Sequence, residues 1–87
     1  MCTGILETAP VWGSGKGAQG WFALKQVAVS YDHPFHADAE HTLNIDFLNN
    51  AQGVATRVAV ELDADSARAL VQAILKALES GEKVAGS

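Results

Sequence analysis

The chain has 87 residues, 48% of them hydrophobic, and a formal charge of -4 from six Lys and Arg against ten Asp and Glu. That length and balance predict one globular domain, residues 1–87, and exclude a disordered chain. A single cysteine excludes an intrachain disulfide, and no run of about 18 apolar residues marks a membrane span.

Ile5 to Trp12 is apolar-rich and predicts a first strand, with Pro10 pointing to an edge strand or an irregular end. Gly13 to Gly20 holds four of the eight glycines and reads as a flexible hairpin loop. Its GSGKG stretch has the composition of a phosphate cradle. However, Gly17 follows Lys16 where a P-loop needs Ser or Thr, and strand rather than helix follows. Trp21 to Asp32 alternates as a long strand, with Val27, Val29, Tyr31 and then His33 on one face. Pro34 stops it, and Phe35 to Ala39 form a loop. From Glu40 to Leu48 the alternation places His41, Leu43, Ile45 and Phe47 on the apolar face. Asn49 to Gly53 is a turn, and Thr56 to Leu62 alternates again with Val58, Val60 and Leu62 inward.

A helix follows. Asp63 is its N-cap, because a carboxylate can accept the unpaired first-turn amides, and Asp65 suits the positive end of the helix dipole. Ala67, Leu70, Val71, Ile74 and Leu78 recur at helical spacing as an apolar stripe. Gly81 is the expected stop, leaving Glu82 to Ser87 as a frayed tail. The predicted fold is therefore α+β: a three- to four-stranded antiparallel sheet with one C-terminal helix packed on one face. Ala28, Ser30, Thr42, Asn44 and Ala59 lie on the other face, which meets water or a second copy. A domain this small buries only roughly 60–65% of its unfolded surface, so a homo-oligomer, dimer or higher, is expected. The N-terminal Met1-Cys2-Thr3-Gly4 has no basic or long apolar stretch, which predicts a cytoplasmic protein without a signal peptide.

The charge is concentrated. No Lys or Arg lies between Lys25 and Arg57, whereas Asp32, Asp38, Glu40 and Asp46 do, together with all three histidines. An acidic field favours protonated histidine or a cation and disfavours nucleic acid, which needs clustered Lys and Arg. His33, at the end of one strand, and His41, at the start of the next, become neighbours if the strands pair. His36 sits on the loop between them. Three imidazoles on so short a stretch suit a divalent transition metal, zinc by default, with iron or copper as other candidates. Glu40 or Asp38 would be an auxiliary oxygen ligand and Cys2 an outside candidate. Two other readings stand beside this one. The histidines are ordinary strand-end residues bonded to backbone or carboxylate, or one of them works with a carboxylate as an acid–base pair.

Cys2 would also become an N-terminal nucleophile if Met1 were removed, but a small hydrophobe near a terminus is the simpler reading. Trp12 and Trp21 flank the glycine-rich stretch, where they would pair across a hairpin or line a substrate pocket with Phe35. Three function classes remain open: a metal-binding homo-oligomer, a non-catalytic interaction module with a protein partner, and a small enzyme with an inter-subunit pocket.

The stretches MCT, GSGKGAQGW, DHPFHADAEHTLNIDFLN and RVAVELDADSARALVQAI together resemble a small bacterial family of this length with no assigned activity, fold or ligand. The resemblance spans nearly the whole chain. It implies a bacterial, cytoplasmic origin and carries no functional residue with it.

Overall fold

The computed structural model describes residues 4–34, 40–49, 51 and 56–85. Four strands, β1 (Leu6–Gly17), β2 (Gly20–Asp32), β3 (Thr42–Leu48) and β4 (Arg57–Leu62), precede one helix, α1 (Ala64–Val84). The strands form an antiparallel meander in the order β1-β2-β3-β4, so the fold is α+β.

The alternation of apolar residues fixes the register, because a slip of one residue would turn every side chain to the other face. Three rows cross the sheet: Val27–Phe47–Val58, Val29–Ile45–Val60 and Tyr31–Leu43–Leu62. These nine side chains form a continuous apolar block on one face, and each of them is half-buried. The opposite face supplies its own polar partners. Arg57 donates to the Asp46 carboxylate at 2.6 Å, and the Thr42 hydroxyl donates to Asn44 Oδ1 at 2.6 Å. Thr42, expected on an open face, is 1% exposed.

The glycine-rich stretch is strand, not loop. β1 continues through Gly17, and a tight turn at Ala18 and Gln19 returns the chain to Gly20. Gly20 has φ +112°, in the left-handed region where a side chain is strained. Gly13, Gly15 and Gly17 alternate toward the half-buried side, and two of them lie where neighbours close in. A Cβ on Gly15 would sit 3.0 Å from Leu24 Cδ2 and 3.5 Å from Val58 Cγ2. One on Gly17 would meet Phe22 Cε1 at 3.2 Å and the Arg57 carbonyl oxygen at 3.4 Å. Val58 and Arg57 belong to β4, so the sheet curls until its first and last strands approach, and the glycines make room for that curl. A bulge between Pro10 and Gly13 shifts the register of β1 against β2.

The helix begins as its cap residue requires. Asp63 has extended backbone (φ -71°, ψ 166°), and its Oδ1 accepts the Ser66 amide at 2.7 Å. Gly81 does not end the helix. Its carbonyl accepts the Ala85 amide at 2.9 Å, and the helix runs to Val84. The helix packs only lightly on the sheet. The helix has no buried residue, and Leu70, Val71, Ile74, Leu75 and Leu78 are 40–54% exposed. Near its start Ala64 and Ala67 are half-buried, and the helix makes slight contact with β3. Among the described residues no apolar side chain is fully buried. The radius of gyration is 14.7 Å, above the about 12 Å expected of a compact chain of this length. Among the described residues, no helix is long and apolar enough to cross a membrane.

Candidate functional site

Antiparallel pairing of β2 with β3 builds the histidine site from the sequence upward. The ladder ends at Asp32 opposite Thr42, and the next residues along each strand are His33 and His41. Their imidazoles are brought together as the alternation predicts, with centroids 5.0 Å apart and planes 23° from parallel. Tyr31 also stacks with His41, at 5.8 Å and 8°. The two imidazoles extend the apolar block beyond its last row, which holds Tyr31, with His41 half-buried and His33 exposed.

Two contacts orient His33. Its backbone amide donates to Asp32 Oδ1 at 2.8 Å, and its Nδ1 lies 2.9 Å from the carbonyl oxygen of Glu40. A carbonyl oxygen only accepts, so Nδ1 is the nitrogen that donates there. In the neutral ring this makes Nε2 the basic nitrogen. Metal-binding histidines commonly have one ring nitrogen tethered in this way. Glu40, expected as an auxiliary ligand through its carboxylate, meets His33 here through its main-chain oxygen.

His36, Asp38, Phe35 and Cys2, all named as site candidates from sequence, lie outside the described residues. Among the described residues no group of three or more His, Cys, Asp and Glu is arranged to hold a metal ion. The described site is thus a pair of stacked imidazoles with one ring held by a backbone acceptor. It can supply two nitrogen donors.

The tryptophans do not pair across the hairpin. Lys16 stands opposite Trp21, and Trp12 lies in the bulge between the Pro10–Gln26 and Gly13–Leu24 pairs. Trp12 is 99% exposed and Trp21 70% exposed. Both sit with Lys16 and Lys25 on the exposed side of the hairpin, away from Phe22 and Leu24. Trp21 borders a shallow depression with Gly17, Ala18, Gln19 and Thr56, which Trp12 does not reach.

Asn49 is the residue that sequence reasoning missed. Read there as part of a turn, it is 2% exposed and joins three segments. Its Nδ2 donates to the Ala23 carbonyl at 2.9 Å, its Oδ1 accepts the Ala51 amide at 3.1 Å, and its backbone amide donates to the Thr56 carbonyl at 3.2 Å. An Asn directly after an alternating strand favours the local Oδ1 contact. The bond to Ala23, 26 residues away, leaves no mark in the sequence.

A family model described as a family of unknown function (DUF6295) matches residues 1–86, and the chain belongs to that family. No curated protein and no solved structure matches it.

Proposed function

We propose that this member of a family of unknown function is a small cytoplasmic bacterial protein that self-associates and acts as a non-catalytic interaction module. The observation that carries this reading is the 21-residue helix, whose apolar stripe is about half exposed along its length. Burying a Leu, Ile or Val side chain completely stabilises by about 1.5–3 kcal/mol, so five half-exposed ones leave roughly 4–7 kcal/mol unrealised. That is comparable to the whole stability of a domain this size. With no fully buried apolar side chain among the described residues, the chain gains that stability by association. The test is sedimentation equilibrium of untagged protein over a wide concentration range. A dimer or larger species is expected; a natively folded monomer throughout would overturn the reading.

The geometry of His33 favours one second reading, in which the imidazole pair binds a divalent transition metal, zinc first. Its Nδ1 contact with the Glu40 carbonyl presents Nε2 as the ligand nitrogen, and His41 stacks beside it. Two nitrogens are half of a four-donor zinc set, so the remaining donors come from elsewhere in the chain, from a second copy or from water. Plasma mass spectrometry of untagged protein tests it. Metal that copurifies with the parent and is lost from the His33→Ala/His41→Ala variant is expected; stoichiometric metal retained in that variant would sink it.

A further inference from the structure

Two apolar surfaces of this chain lack a complete cover, and they match each other. One is the nine-residue block on the sheet, about 13 Å along the strands and about 10 Å across three of them. The other is the helix stripe from Leu70 to Leu78, about 12 Å long on a helix about 10 Å wide. Neither contains a charged side chain.

Within one chain they meet little: the helix makes slight contact with β3, and the stripe stays 40–54% exposed. Leu62 ends β4 and Ala64 begins α1, so Asp63 alone connects them. Connections from strand to helix ordinarily take about two to six residues. A connector this short restricts how the helix can turn back across the sheet, and the stripe stays exposed. Short connections of this kind favour exchange of an element between copies.

The width of the stripe indicates what it covers. Leu70 and Leu75 mark its edges, and five residues at about 100° each put them about 140° apart. A helix paired with one other helix needs only a narrow seam, whereas a stripe wider than about 100° suits a broad core surface such as a sheet. A helix-to-helix pairing would also leave the sheet block uncovered.

We infer that each copy lays the Leu70–Leu78 face of α1 across the apolar sheet block of a second copy. The exchange is reciprocal, so one two-fold axis closes the assembly without leaving a complementary surface open. The stack of Tyr31, His41 and His33 then lies at the rim of the covered block. This inference rests on the self-association reading, and its test separates the two.

Three proteins in a Cys2→Ser background suffice: Ile45→Cys on the sheet, Ile74→Cys on the helix, and the variant carrying both. Ile45 is the central residue of the block and Ile74 is central in the stripe. Mild oxidation of the two single variants refolded together should give a mixed disulfide-linked dimer as the main product. Predominant cross-linking of Ile74→Cys to itself would mean helix against helix and overturn the exchange while leaving self-association intact. An intrachain disulfide in monomers of the combined variant would mean that the helix folds back on its own sheet, and would overturn the exchange. Monomer in sedimentation, with no cross-link of any kind, would remove both readings. The Ile74→Asp/Leu78→Asp variant is a second measure, expected to weaken association about tenfold or more because it places charge on an apolar surface.

Discussion

Replacing Asn49 with alanine removes a side chain that ties β2 to the start of the β3–β4 connection. Two side-chain hydrogen bonds are lost, to the Ala23 carbonyl at 2.9 Å and from the Ala51 amide at 3.1 Å. Each contributes about 0.5–1.5 kcal/mol net, so the pair contributes about 1–3 kcal/mol. Ala23 and Ala51 are both exposed residues, and water can reach their main-chain groups once the side chain is gone. That places the expected loss in the lower half of the range, about 1–2 kcal/mol. The assay is urea unfolding followed by far-UV circular dichroism, at one fixed protein concentration because association adds to apparent stability. With a slope of about 1–3 kcal/mol per molar urea, the midpoint should fall by roughly 1 M. Ser14→Ala, at an exposed position, is the control and should stay within about 0.5 kcal/mol of the parent. Asn49→Asp sharpens the test. It keeps an acceptor for Ala51 but turns a carboxylate oxygen toward the Ala23 carbonyl. Burial and that acceptor raise the pKa of the new carboxyl in the folded state, so the variant's deficit grows as pH rises through the raised value and shrinks in acid. An Asn49→Ala midpoint indistinguishable from that of Ser14→Ala would refute the reasoning.

Two further expectations concern local backbone and charge. Hydrogen bonds from Ser66, first its amide and then its hydroxyl, hold the Asp63 carboxyl below the ordinary value of 3.8. A lowered folded-state value means that the cap stabilises fully above the ordinary carboxylate range and fades as pH falls through the lowered value. The parent should therefore lose helical signal at 222 nm in acid relative to Asp63→Asn, and parallel acid titrations of the two proteins would contradict this. Gly20→Ala forces a side chain into φ +112° and should cost about 1–3 kcal/mol in urea unfolding, whereas a neutral result would mean that the turn relaxes to another form.

Much of the fold is legible in the sequence because it depends on near neighbours along the chain. Alternation in β2, β3 and β4 is a period-two signal, and burial of one face turns that signal into a unique register, Val29 opposite Ile45 opposite Val60. The same register brings His33 to His41, so half of the candidate site could be read from spacing alone. The Asp63 cap is legible for the same reason, since its partner Ser66 is three residues away.

Other features depend on which distant segments meet, and only the tertiary structure decides them. Gly13 to Gly17 have the composition of a loop. They form strand because β4 closes against β1, and Val58 and the Arg57 carbonyl leave little space for side chains at Gly15 and Gly17. Asn49 has the composition of a turn residue, and its buried bond crosses 26 residues to Ala23. The stripe on α1 specifies that the helix must cover something apolar, but not where that surface lies. Periodicity records the face of an element, while the length of the connector, here Asp63 alone, determines whether that face can reach its own sheet.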